Sequence, residues 1–305
     1  MKLLALVLAG GKGNRLYPLT AEHAKPALPF VRGYRIVDFV LSNLVNSEIA
    51  TIYVLAQYKP QSLVGHIDAV WAARGMRAGS RIQVVLPRSG DAADRFKGTA
   101  DAVYQNLELI GRHRPDLVAV FAADHIYRMD VRQMIDAHRE RSAYVTVAAV
   151  PVPIEKARSF GVMATDANGR ITQFQEKPER PAPMPADPTR AYASMGNYLF
   201  DPDVLAGLLH GARKNGGTDF GRHILPGLER CPRVFAYDFA SNEVPGVQPY
   251  EETAYWRDVG TIDALKAAQD DVSGFPPRFN LWNPRWPIRG RDHPRIHWNR
   301  SSSCL

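Results

Sequence analysis

Short apolar runs alternating with amphipathic stretches constrain the fold of this chain more than any other feature. Leu3–Leu8, Thr51–Ala56, Ile82–Leu86, Leu117–Ala122 and Tyr144–Val150 read as strands. Val37–Asn46, Gln61–Arg74, Thr99–Arg112 and Val131–Arg141 read as the helices between and after them. Strand–helix alternation of this kind predicts an α/β fold, a doubly wound, mostly parallel sheet of the Rossmann-like type. In such sheets ligands bind at the carboxyl ends of the strands, where strand order reverses. The second half is more mixed. Gly161–Ala164 and Ile171–Gln175 flank Asp166-Ala167-Asn168-Gly169, which reads as a hairpin turn, and Pro178–Pro188 reads as an exposed loop. Asp219–Leu228 and Ile262–Asp270 read as helices. From Phe275 onward five prolines and three tryptophans appear without period, so no compact element is assigned there.

At 305 residues and 45% hydrophobic composition, the chain can bury one large core or two modest ones. The opening apolar run stops at Gly10-Gly11-Lys12, too early for a secretory signal, and no stretch approaches the ~20 apolar residues that span a bilayer. Two cysteines, Cys231 and Cys304, provide neither a disulfide framework nor a metal-ligand pair, and a reducing, cytoplasmic setting is expected. The net charge of +7 is concentrated at the end of the chain, where residues 275–305 hold six arginines and one aspartate. Such a tail suits acidic surfaces or nucleic acid. No recognised nucleic-acid module accompanies it, and a solvated terminus is the expectation.

Five motifs carry candidate chemistry. Gly10-Gly11-Lys12-Gly13-Asn14-Arg15 follows the first strand. Its glycines allow backbone N–H groups to face a phosphate, and Arg15 adds a charge, although an ordinary tight turn has the same spacing. In Ala24-Lys25-Pro26-Ala27-Leu28-Pro29, prolines fix the backbone around Lys25, whose interest lies in its closeness to the glycine loop. Phe121-Ala122-Ala123-Asp124-His125 ends a strongly apolar strand. A carboxylate there is a natural Mg²⁺ ligand or, equally, a turn or cap residue; His125 reads as structural. Glu176-Lys177 either pairs a sugar-reading carboxylate with a phosphate-reading cation or is a surface ion pair. The two point to opposite faces of a strand unless the backbone turns. In Tyr255-Trp256-Arg257-Asp258-Val259-Gly260-Thr261, Asp258 completes a metal site with Asp124 or belongs to the start of a helix.

Taken together and in this order, these motifs resemble the bacterial ADP-glucose pyrophosphorylase family. Arg35–Phe39, Leu55–Tyr58, Gly98–Ala102, Phe160–Met163 and Ala193–Gly196 extend the resemblance over most of the chain. The resemblance implies transfer of the adenylyl group of ATP to glucose 1-phosphate, giving ADP-glucose and pyrophosphate for α-glucan synthesis. By that resemblance Gly10, Gly11, Gly13 and Arg15 hold the ATP phosphates with Lys25 near them, and Gln57 and Gly98 line the base and ribose. Asp124 and Asp258 hold Mg²⁺. Phe96, Gly161, Glu176, Lys177, Ser194, Tyr198, Asp219 and Trp256 form the glucose 1-phosphate pocket. It also implies a homo-oligomer and a further C-terminal β-helix domain. Residues 1–274 are then the catalytic domain, and 275–305 an irregular basic remnant of the linker to that β-helix. Rival readings are a related enzyme using another base or sugar, and a non-catalytic regulatory subunit. Retention of Arg15, Lys25, Asp124, Lys177 and Asp258 argues against the latter.

Several positions depart from the family pattern. Glu22 stands where a cation for activator phosphates is usual, so weak activation by sugar phosphates is expected. Arg88-Ser89-Gly90-Asp91 replaces a glutamine-rich run, and Arg95-Phe96-Lys97 replaces Trp-Tyr-Arg.

Overall fold

The computed structural model of the chain describes residues 1–72, 80–88 and 95–291. The last part of the helix expected over Gln61–Arg74, the Ser89–Asp91 stretch, and the chain from 292 on, with Cys304, lie outside the described residues.

The first unit runs β1 (Leu3–Ala9), α1 (Val37–Asn46), β2 (Thr51–Ala56), α2 (Gln61–Ile67) and β3 (Arg81–Val85). Next come α3 (Thr99–Tyr104), α4 (Leu107–His113), β4 (Leu117–Ala122), β5 (His125–Tyr127), α5 (Val131–Glu140) and β6 (Val145–Pro153). The second half adds β7 (Gly161–Thr165), β8 (Ile171–Glu176), β9 (Arg190–Phe200), α6 (Pro202–Lys214), β10 (Val234–Asp238), β11 (Trp256–Asp258) and α7 (Ile262–Ser273). The main sheet has the order β10-β6-β9-β4-β1-β2-β3. Pairings β10–β6, β4–β1, β1–β2 and β2–β3 are parallel; β9 runs antiparallel to β6 and β4, and the β7–β8 hairpin joins the sheet through an antiparallel pairing of β7 with β9. This is the expected mostly parallel, doubly wound α/β sheet.

Strand alternation explains why β1 and β4 are apolar along their whole length. In β1, Ala5 and Val7 belong to one core with α1, α2 and α5, while Leu4 and Leu6 belong to another with α3, α4 and α6. Both faces are covered by helices, so neither tolerates a polar row. In α5, Val131, Met134, Ile135 and His138 are buried at helical spacing, and the Asp130 side chain caps the first turn by accepting from Arg132 N.

The expected helix Thr99–Arg112 is two helices. Asn106 stands between them at the position before α4, and its side chain donates to Ala102 O at 2.8 Å, competing for the backbone of the first helix. The region 190–214, for which the sequence reading assigns no element, forms β9 and α6. The hairpin β7–β8 turns on Gly169 at φ +78°, and Asp166 Oδ1 accepts from the N–H groups of Asn168 and Arg170.

The solvated segment expected after Phe275 is instead packed. It holds no helix or strand among the described residues, yet Phe279, Leu281, Trp286 and Ile288 are buried. Phe279, Leu281 and Ile288 complete a third core with Leu16, Phe39 and Tyr255. Asn283 fixes the path by donating to Pro245 O and accepting from Arg285 N. Among the described residues no helix is long and apolar enough to cross a membrane.

Candidate active site

The carboxyl ends of β1, β2 and β4 open into a cavity of about 520 Å³. After β1, Gly10 and Gly11 line it, and Gly13 turns the chain back at φ +67°. A Cβ at Gly13 would meet the Thr20 methyl at 2.9 Å, so both the conformation and the space select glycine. Just past β2, Gln57 donates to Phe96 O at 2.9 Å and ties the glycine loop to the segment entering α3. Its Oε1 is buried with no partner.

Gly98 meets a different constraint. Its backbone is extended, but a Cβ would lie 2.4 Å from Thr218 O, the oxygen that accepts from Ala100 N and Asp101 N. Thr99 Oγ1 accepts from Phe220 N and donates to Asp219 Oδ2 at 2.9 Å. The amino end of α3 therefore positions Asp219. Glu176 faces it across Gly221, and a Cβ there would lie 2.9 Å from Glu176 Oε2 and 3.5 Å from Asp219 Oδ1. The buried Tyr198 hydroxyl shares a hydrogen bond with Ser194, and burial pushes its pKa well above the usual phenol range.

The charged centre lies beside this cavity. Lys25, in a single turn braced by Pro26, is 7% exposed, and its Nζ lies 2.8 Å from Asp124 Oδ2 and 3.6 Å from Asp258 Oδ1. The two aspartates meet because β5 and β11 form a small antiparallel sheet in which Asp258 pairs with His125. His125 Nε2 is 3.6 Å from Asp124 Oδ1. Burial alone would raise the Asp124 carboxyl. The charges of His125 and Lys25, with the hydrogen bond from Lys25, outweigh it and hold the group well below the usual carboxylate range. Ligand atoms of Asp124, His125 and Asp258 lie within 4.8 Å of one another, so oxygen donors for a cation converge here. His125, read as structural in the sequence, belongs to this cluster; its position next to Asp124 was the available signal. Its ring packs 4.9 Å from that of Trp256, which also meets Phe160 at 5.4 Å.

The remaining sequence candidates are arranged around these two groups. Arg15, Trp256 and Asp258 line an adjoining cleft, and the Arg15 guanidinium lies against Gly260, where a Cβ would be 2.8 Å from Nη2. Gly161 packs beneath Phe174. Lys177 has φ +49°, so the backbone turns at the end of β8. Glu176 then faces the cavity while Lys177 is exposed, and strict strand alternation does not apply to the pair. Thr99 and Gly221, like Lys12, Tyr58 and Lys97, are cavity-side positions to which the sequence assigns no role.

A Gly-rich loop, a cavity at a strand-order reversal and a Lys–Asp–Asp cluster define a nucleotidyltransferase, and the profile of the family described as Nucleotidyl transferase matches residues 4–274. The chain is 54% identical to the glucose-1-phosphate adenylyltransferase of Thermodesulfovibrio yellowstonii, over 94% of this chain and 70% of that protein. It is 47% identical to the enzyme of that name from Thermus thermophilus, over 95% of this chain and 71% of the other. For the one from Anaeromyxobacter sp. the identity is 48%, over 96% and 71%. Within the nucleotidyltransferases, the chain belongs to the glucose-1-phosphate adenylyltransferase family.

Proposed function

We propose that this protein transfers the adenylyl group of ATP to glucose 1-phosphate, releasing pyrophosphate and forming ADP-glucose. The observation that carries the reading is Lys25 held between Asp124 and Asp258, at the point where the cavity meets the adjoining cleft. The nucleophile is a sugar-phosphate oxygen already ionised at neutral pH, so no protein base is required. That oxygen bonds to the α-phosphorus, the bond from this phosphorus to the β-bridging oxygen breaks, and pyrophosphate leaves with the electron pair. Two polyanions must be brought together and charge on the leaving group offset.

In this reading Gly10, Gly11 and Gly13 present the phosphate-facing loop, with Arg15 and Lys25 as counter-charges. Gln57 and Gly98 border the nucleotide, and Phe96 belongs with the glucose 1-phosphate pocket. Glu176, Asp219 and Tyr198 accept and donate to sugar hydroxyls, supported by Ser194 and Gly161, with Trp256 as an apolar wall and Lys177 directed at the sugar phosphate. Asp124, held ionised, and Asp258 beside it offer hard oxygen donors at one point and fit Mg²⁺. When bound at Asp124 and Asp258, Mg²⁺ supplies further charge stabilisation for the phosphates. Lys25 fixes the carboxylates in their shared orientation and neutralises part of their repulsion toward substrate.

The test is direct. The purified chain is given Mg²⁺, glucose 1-phosphate and each of ATP, UTP, GTP, CTP and dTTP, and pyrophosphate and the sugar nucleotide are measured. ADP-glucose forming fastest from ATP is expected. Preference for another nucleotide would overturn the adenylyl reading, and silence with all five would overturn the catalytic one.

A further inference from the structure

Beside the nucleotide cavity lies a second cleft of about 730 Å³, lined in part by Arg15, Lys156, Ser159, Arg190, Asp258 and Thr261. The two spaces meet at the Lys25–Asp258 ion pair. The cleft is cationic in a specific way. Its other arginines, Arg257 and Arg278, are committed to Glu252 and Asp271. Among the described residues neither Arg15 nor Lys156 has a carboxylate partner, and Arg190 spends one guanidinium nitrogen on Pro151 O at 2.7 Å. These three cations come from three separate elements: the glycine loop, the turn after β6 and the start of β9. All three are exposed and line the same cleft, where an anion can collect them.

We infer that this cleft receives the inorganic pyrophosphate product, with Arg15 on its inner phosphoryl group and Lys156 and Arg190 on the outer one. The inference rests on the adenylyl-transfer reading. Charge and position give the direction of departure. The first cavity balances Lys12, Lys25 and Lys97 against Asp124, Glu176 and Asp219, whereas the second cleft sets Arg15, Lys156, Arg190, Arg257 and Arg278 against Glu252 and Asp258. Arg15, the cation of the phosphate-facing loop, lines the second. As the bond to the α-phosphorus breaks, the leaving group gains charge and moves toward the side where cations outnumber carboxylates. The amino end of the twelve-residue α7, capped by Thr261 with Ala264 N donating to its hydroxyl, adds positive potential at the same wall.

The reverse reaction tests this, run from ADP-glucose and Mg²⁺-pyrophosphate with Lys156→Gln, Arg190→Gln and, as a control, Arg158→Gln, a neighbouring exposed cation. Each of the first two is expected to raise the KM for pyrophosphate about tenfold, the size of one lost charge-assisted contact. The KM for ADP-glucose should move less than about twofold, and the control should leave both constants as they are. Calorimetric titration of pyrophosphate with Mg²⁺ into wild type and Lys156→Gln needs no turnover. Wild type silent in catalysis but binding pyrophosphate more tightly than the variant would overturn the activity and keep the cleft. Unchanged pyrophosphate binding in Lys156→Gln, or equal rises in both KM values, would overturn the cleft.

Discussion

Lys25 Nζ is closer to Asp124 than to Asp258, at 2.8 Å against 3.6 Å, so Asp124 carries the stronger constraint. Asp124→Asn keeps the shape and removes the charge. Turnover should fall by about a hundredfold or more with the thermal midpoint little changed, in line with loss of one preorganised electrostatic group; near-normal turnover at saturating Mg²⁺ would remove Asp124 from the mechanism. Lys177 lies at the exposed end of β8, directed in our reading at the sugar phosphate. Lys177→Gln should raise the KM for glucose 1-phosphate well above any change in that for ATP, and an equal rise would show that it does not read the sugar phosphate. A third residue controls pH response rather than chemistry. Burial pushes His138 from 6.5 down to about 4, and its Nδ1 lies 2.8 Å from Thr146 Oγ1. Below pH 6.5 the unfolded chain takes up a proton that the folded chain refuses until about pH 4. Its contribution to stability is therefore complete above pH 6.5 and is lost progressively as pH falls toward 4. Denaturant midpoints at pH 7 and pH 5 should differ more for wild type than for His138→Gln. Equal differences would show that His138 does not set the slope.

At the scale of elements, the docking of α3 on the 218–220 segment matters most to the site. Gly98→Ala places a methyl against a backbone carbonyl at 2.4 Å, and neither Thr218 O nor the two N–H groups bonded to it can yield cheaply. The variant should lose on the order of 1–3 kcal/mol of stability, as overpacking does. Because Thr99 and Asp219 shift with the segment, its KM for glucose 1-phosphate should rise as well. Gly65, inside α2 with nothing within 4 Å of its Cβ position, is the natural comparison. Gly65→Ala should stabilise by about 0.5–1 kcal/mol through helix propensity alone. Thermal melts of the two variants against wild type decide both. Local pattern exposed the strands of the first half because each is covered on two faces and so apolar throughout. β9 escaped notice because it alternates small, polar and aromatic residues over Arg190–Phe200, and only its neighbours β4, β6 and β7 hold it extended.

At the scale of the molecule, the packing of 279–288 means that the family match ending at residue 274 stops short of the folded unit. Ending the chain at residue 274 removes four buried apolar side chains, Phe279, Leu281, Trp286 and Ile288. At about 1.5–3 kcal/mol each, the loss is on the order of 5 kcal/mol or more. The truncated chain should melt far below the full one or fail to accumulate, and equal melting temperatures would contradict the packing. The sequence by itself determined the doubly wound α/β class and the identity of the charged and glycine motifs, because period, turn chemistry and residue type are local properties. The tertiary structure decided which motifs meet. The Asp124–Asp258 pair exists because β5 and β11 align in register, Glu176 faces the cavity because the chain turns at Lys177, and the proline-rich segment is core because apolar partners from Leu16 to Tyr255 enclose it. Each depends on contacts between residues far apart in the chain, whose closure only the folded whole can stabilise.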